Sequence, residues 1–164
     1  MQEILLDENG YKQFCDEIER LKEQSDNNAI SGSEAYEAAV GDGWHDNFAF
    51  EQSMRESRQL AKRIDDLMSK KKNIKIIKDK NIKEDLVNIG DVVNLRIKGE
   101  NIDEEENIKL TGNYIPSIND DIEEITLNSP MGKVLYKAKI GETMQYSANN
   151  KVFEVTIISK INRG

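Results

Sequence analysis

The chain of 164 residues carries 31 acidic and 23 basic side chains, a formal charge of -8 and a pI near 4.8, a balance that argues against a protein held to nucleic acid by phosphate contacts. Charged residues at 33 % against 37 % apolar suit extensive helix surface around a modest core, in one domain or two small ones. A single Cys15 excludes an intrachain disulfide and no apolar run approaches the roughly 20 residues of a membrane span, so a soluble, reducing, cytoplasmic setting is expected, with no membrane partner.

The first predicted element is an amphipathic helix. Tyr11, Phe14, Ile18 and Leu21 recur at helical spacing behind Asp7, which is placed to act as N-cap. Cys15 flanks that stripe and reads as a packed side chain, since no basic partner lies beside it to stabilise a thiolate. Ser25 to Ser33 is a poor helix interior, which leaves a kink or a frayed stretch open there, and the period recovers through Ala35, Tyr36, Ala38, Ala39 and Val40.

Gly41-Asp42-Gly43-Trp44-His45-Asp46-Asn47 follows, with the only Trp, the only His and two carboxylates between two helical patterns. Two glycines around an Asp predict the tip of a helical hairpin, where the backbone reverses. Asp42, His45 and Asp46 are a minimal metal-ligand set, but a hairpin tip supplies neither a second shell nor a dry cavity, so a self-contained metal site is not expected. Bland roles also fit: Asp46 or Asn47 as cap of the second helix, Gly41 as end of the first, Trp44 as cover.

The second arm returns from Asn47, with Phe50, Met54, Ala61, Ile64 and Met68 in heptad-like register, Ser57 as one polar seam position, and Leu60 and Leu67 widening the stripe. Residues 1–46 hold 12 acidic and 3 basic side chains, whereas residues 51–72 hold 4 and 7, so the arms are complementary in charge and expected to pair antiparallel. Arg55, Arg58, Lys62 and Arg63 then face acids of the first arm in exposed pairs worth tenths of a kcal/mol, ahead of any contact with RNA. Lys70-Lys71-Lys72 ends the helix, and 74–85 reads as a linker.

From Leu86 the period becomes two. Val87, Ile89, Val93, Leu95 and Ile97 around Gly90-Asp91 predict strand, turn, strand; 107–110 and 125–127 predict two more; Gly99 to Glu106 reads as an exposed acidic loop. Ser129-Pro130 predicts a short helix with Met131, Val134 and Leu135, and Asn149-Asn150 a hairpin turn between strands at 144–146 and 153–157. The whole is α+β: an antiparallel helical hairpin or coiled coil at 1–73, a linker at 74–85, and a small antiparallel sheet with one short helix at 86–164. No phosphate-cradling loop, zinc spacing or nucleophile elbow occurs in the second half.

A hairpin with Gly41-Asp42 and Asp46-Asn47 at its tip, followed by a domain with Ile125-Thr126-Leu127-Asn128-Ser129-Pro130 leading to Gly141, resembles the GreA/GreB family of bacterial transcript-cleavage elongation factors over nearly the whole chain. The resemblance implies an FKBP-like C-terminal domain docked on RNA polymerase and a hairpin inserted in its secondary channel. It implies that Asp42 and Asp46 act in trans on the RNA 3′ end as carboxylates for a Mg2+ held jointly with the polymerase. No cofactor is then bound by the chain alone. Trp44, His45 and Asn47 become tip contacts, DNA is met only through the transcription complex, and the protein is a monomer that stimulates the polymerase's own hydrolysis and is no enzyme itself. The family places its second acid three residues after the first and uses Glu-Asn; here Gly43-Trp44-His45 makes the separation four and the acid is Asp46, while Ala49 stands where the family has a Glu. Two further readings remain: a channel-binding regulator that does not activate cleavage, and a stand-alone binding module using the sheet.

Overall fold

The structure is a computed structural model and describes residues 2–40, 48–79, 82–118 and 121–161. In chain order the elements are β1 (Ile4–Leu6), α1 (Glu8–Val40), α2 (Phe48–Lys71), β2 (Ile74–Ile76), β3 (Val92–Lys98), β4 (Asp103–Thr111), β5 (Glu123–Thr126), α3 (Pro130–Leu135), β6 (Thr143–Ala148) and β7 (Lys151–Ile161). They form two compact units: residues Phe14–Asn73 with Met1–Gln2, and residues Glu3–Gln13 with Ile74–Gly164.

In the first unit α1 and α2 pair antiparallel. Glu17 meets Arg63 at 3.0 Å, Asn28 meets Ser53 and Ser57, and Tyr36 meets Phe50, so partner numbers rise on one arm as they fall on the other. The expected break at Ser25–Ser33 does not occur, and α1 runs through it. Ser25, Asn28 and Gly32 among its weak helix formers face α2, and tertiary contacts there override propensity. The inward-facing positions of α1 are Phe14, Ile18, Leu21, Ser25, Asn28, Gly32 and Ala35, at alternating spacings of four and three. On α2 they are Phe50, Ser53, Ser57, Leu60, Ile64 and Leu67. This corrects the seam read from sequence: Met54, Ala61 and Met68 are exposed, whereas Leu60 and Leu67 are seam positions. Apolarity favoured Met54 over Ser53, but Ser53 is the residue that faces Asn28 and Gly32.

The second unit opens with β1, which pairs in parallel with β2 (Ile4↔Ile74, Leu6↔Ile76). The sequence reading put both segments outside the sheet domain, as part of the hairpin at 1–73 and of a linker at 74–85. In the structure β1 and the start of α1 belong with residues 74–164, and Ile77 N–H continues the pairing by donating to Leu6 C=O at 2.8 Å. Asp7 caps α1 as expected, its carboxylate accepting from Gly10 N–H at 2.6 Å. Gly10 is required by close approach, because a Cβ there would run into the carbonyl oxygen of Gly112 at the end of β4.

The five-stranded sheet has the order β5-β4-β3-β7-β6. It is mixed and not purely antiparallel, since β5 pairs with β4 in parallel (Ile108↔Glu123 to Thr111↔Thr126). A chain passing from β4 to β5 through residues 112–122 has length enough for a parallel return where a tight turn would force antiparallel pairing. Residues 103–106 are likewise strand, paired to Lys98–Leu95, because Arg96 and Lys98 opposite the acids make this acidic run a favourable edge of the ladder. Val87 and Ile89 do not form a sheet strand: the segment bridges instead to Lys139 after α3, with Val87 N–H donating to Ala138 C=O at 2.9 Å. Asn149 and Asn150 both have positive φ, as a two-residue β6–β7 turn requires. A bulge on β7 opposite Asn94/Leu95 leaves Ile158 unpaired and partly exposed.

One face of the sheet is the core. Val93, Leu95, Ile97, Ile108, Leu110, Val155 and Ile157 point into it and meet Val87, Leu127, Leu135 and Ala138. Alternation puts Asn94, Arg96 and Lys98 on the opposite face.

Candidate functional site

Asp42, Trp44, His45, Asp46 and Asn47, the residues singled out from sequence, lie outside the described residues. Their immediate flanks are described. α1 ends at Val40 and α2 begins at Phe48, and the antiparallel register brings these helix ends side by side, with the Tyr36 and Phe50 rings 5.5 Å apart and tilted by 51°. Val40 and Phe48 are two-thirds exposed at 68 % and 67 %, so the end of the hairpin presents apolar surface beside the carboxylate-bearing segment.

The seam behind this end changes character along its length. Toward the base it is apolar, with Phe14, Ile18, Leu21 and Leu67 buried. Toward the tip it is small and polar: Asn28 Nδ2 donates to Ser53 C=O at 2.9 Å and to Ser57 Oγ at 2.7 Å, while Ser53 Oγ donates to Asn28 C=O at 3.2 Å. Gly32 sits where a Cβ would come 2.5 Å from Ser53 Oγ. The signal for this layer is present in the sequence, since Asn28 stands seven residues after Leu21, but an Asn within a helix carries the opposite signal of a weak helix former.

Charge on the arms is distributed mainly within each helix. Glu17 is held below the ordinary carboxylate value by the hydrogen bond from Arg20 on its own helix, with Arg63 of α2 adding attraction across the seam. Arg55 meets Glu51 at 3.8 Å, also within α2.

In the second unit the Asn128-Ser129-Pro130 stretch has a local structural account. Asn128 Oδ1 accepts from Leu5 N–H at 2.8 Å and its Nδ2 donates to Leu5 C=O at 2.9 Å, so one side-chain amide bonds the free edge of β1 as a neighbouring strand would. Ser129 Oγ accepts from Gly132 N–H at 3.0 Å as N-cap of α3, and Pro130 occupies the first turn, where its missing N–H costs nothing. Gly132 is required because a Cβ there would collide with the carbonyl oxygen of Thr126.

A polar network follows α3. Asp79 Oδ1 accepts from Lys137 Nζ at 2.7 Å and from the Tyr136 hydroxyl at 3.0 Å, and Lys137 Nζ also donates to Asn88 Oδ1 at 2.8 Å. Lys160 Nζ closes it through Asp91 at 2.7 Å and Leu86 C=O at 2.8 Å. Burial together with the hydrogen bond to Asp79 pushes the Tyr136 phenol up to about 12. Among the described residues no cluster of His, Cys, Asp or Glu could hold a metal ion, and no helix is long and apolar enough to cross a membrane.

The described residues form a two-helix antiparallel hairpin in one unit and a mixed five-stranded sheet with one short helix in the other. Residues 82–161 match the family model for the C-terminal domain of the transcription elongation factors GreA and GreB. The transcription elongation factor GreA of Chlorobium phaeobacteroides (strain BS1) is 27 % identical over 142 residues, covering 87 % of this chain and 86 % of that protein. Among solved structures, Gfh1, the GreA factor homolog of Thermus thermophilus, aligns over 98 % of this chain and 100 % of its own at 20 % identity with a TM-score of 0.44. The GreA/GreB factor of Nitrosomonas europaea covers 60 % of this chain and 79 % of its own at 21 % identity with a TM-score of 0.38. Residues 82–161 thus carry the C-terminal domain of the GreA/GreB family, and over most of its length the chain is similar to a transcription elongation factor GreA.

Proposed function

We propose that the protein binds RNA polymerase as a monomer, docks through its C-terminal domain, which we take to be FKBP-like, and inserts its hairpin in the secondary channel to stimulate cleavage of backtracked RNA. The observation that carries this reading is the match of residues 82–161 to the GreA/GreB C-terminal domain, combined with a hairpin whose adjacent helix ends, at Val40 and Phe48, are joined by a segment bearing Asp42 and Asp46. The hydrolytic centre belongs to the polymerase, in the cytoplasm, and this chain assists it.

Carboxylate oxygens are hard donors suited to Mg2+, so Asp42 and Asp46 fit an ion whose remaining ligands come from the polymerase. When bound, that Mg2+ supplies an activated water and neutralises charge developing on the scissile phosphate. The chain's own part is to hold two negative charges at a fixed place near the RNA 3′ end. Trp44, His45 and Asn47 contact the RNA or the channel wall around them. The hairpin's remaining task is delivery.

A second reading, a channel-binding regulator that does not activate cleavage, draws support from the four-residue separation of Asp42 and Asp46 with the bulky Trp44 between them. One experiment decides. The protein is added with Mg2+ to a stalled, backtracked polymerase complex, and the transcript is followed beside Asp42→Ala and Asp46→Ala, with polymerase binding measured in parallel. The expected result is shortening of the transcript from its 3′ end, slowed at least about tenfold by either substitution, with binding retained. Binding without shortening by the wild type refutes the cleavage factor and favours the regulator, and absence of binding leaves the stand-alone module.

A further inference from the structure

Asn28 lies far along the sequence from the acids of the tip, yet its bonds supply the directional contact across the distal half of the hairpin. The basal half of the seam is apolar and its packing is specified by shape, with Phe14, Ile18 and Leu21 on α1 and Leu60, Ile64 and Leu67 on α2. In the distal half the inward positions are Ser25, Asn28, Gly32 and Ala35 against Phe50, Ser53 and Ser57. Small residues allow close approach but discriminate poorly between one register and the next, because a slipped helix finds much the same surface. Directional bonds do discriminate. Asn28 uses both protons of its amide on α2, one on Ser53 C=O and one on Ser57 Oγ, and receives Ser53 Oγ on its own carbonyl. A slip of one helical turn toward Leu60 would put Leu60 in the place of Ser57 and leave one amide proton without its hydroxyl acceptor, whereas a slip the other way would keep Ser53 as an acceptor but bring Phe50 to the place where Gly32 now admits Ser53 at close approach.

We infer that Asn28, with Ser53 and Ser57, is a positioning residue: it fixes the register of the distal arms and through it the place at which Asp42 and Asp46 are presented. The link to the acids rests on the function proposed above; the register itself does not. A polar residue at one seam position that sets register at some expense of stability is a general device of coiled coils.

The test uses the full chain with Cys15→Ala and spin labels at Glu34→Cys and Glu51→Cys, two exposed positions that the register sets at the same level of the two arms. Wild-type Asn28 is expected to give one narrow inter-label distance. Asn28→Leu, which keeps the helix and adds apolar contact, is expected to retain or raise the thermal midpoint while broadening the distribution toward a second population displaced by about 5.4 Å, one helical turn. Ser57→Ala removes one acceptor alone and is expected to broaden it less. In the backtracked-complex assay Asn28→Leu should lower the shortening rate at saturating protein at least about tenfold and leave the half-saturating concentration unchanged, the split expected of misplaced acids and not of lost docking. A narrow, unmoved distance in Asn28→Leu overturns the inference, and so does a broadened distance with an undiminished rate. If the wild type itself shortens no RNA, the proposed function has failed, and the spin-label distances still decide the register.

Discussion

Replacing Asn128 by Ala tests whether a single side chain holds the N-terminal strand. β1 pairs with β2 through one of its edges, with Leu6 C=O turned toward Ile77, so Leu5 N–H and C=O point the other way, and Asn128 meets both at 2.8 and 2.9 Å. Each neutral hydrogen bond contributes about 1 kcal/mol net, so the substitution should cost about 2 kcal/mol, more if water cannot reach the two groups left behind. For a domain of about 100 residues that corresponds to a fall of about 10 °C in thermal midpoint, and 2 kcal/mol of local opening speeds exchange of the Leu5 amide about thirtyfold. Differential scanning fluorimetry reads the first and hydrogen exchange the second. Asn128→Asp adds a sign test, because an ionised carboxylate still accepts from Leu5 N–H but faces Leu5 C=O with a lone pair. Only its protonated form restores the donor, so the folded-state pKa of this Asp is raised. Its favourable contribution is complete below the unfolded value of about 3.9 and is lost as pH rises through the folded value. A midpoint unmoved by Asn128→Ala with unchanged exchange at Leu5, or an Asp variant with no relative gain in acid, would refute the clamp.

Gly132→Ala should destabilise by about 1–3 kcal/mol, because the added methyl meets the Thr126 carbonyl, a backbone atom that cannot rotate away; urea denaturation checks it. Asp79 sets part of the acid limb of stability. Burial raises its carboxyl, but hydrogen bonds from Lys137 and Tyr136 and the Lys137 charge outweigh this and hold it below the ordinary value. Its stabilisation is therefore present above the unfolded pKa of about 3.9 and is lost as pH falls through the lower folded value. Asp79→Asn should flatten the stability curve below about pH 4, as read by urea midpoints across that range, and an unchanged acid slope would show that the network contributes nothing there.

The candidate site was legible as chemistry and not as geometry. Two carboxylates, an imidazole and an indole within seven residues stand out in any reading of the chain, and their position between two helical patterns follows from periodicity. Their supports were not legible. The role of Asn28 depends on which of two stripes of α2 faces it, and Met54 and Ser53 compete for that place with apolarity favouring the wrong one. Asn128 could be marked as part of a family motif, but its bonds run to Leu5, at the opposite end of the sequence.

Local chemistry determined the elements whose energetics are local. The arms follow a period near 3.6, Asp7 and Ser129 cap helices through bonds spanning three residues, and Asn149-Asn150 tolerates the positive φ of a tight turn. The tertiary structure alone decided the parallel pairing of β1 with β2, the parallel return of β5 to β4, the strand character of 103–106 and the phase of the α2 seam. A strand three or four residues long has no hydrogen bonds of its own, and a helix with two candidate stripes buries whichever its partner covers. In both cases the deciding free energy comes from atoms distant in sequence, so composition and period could propose these segments but not choose among their states.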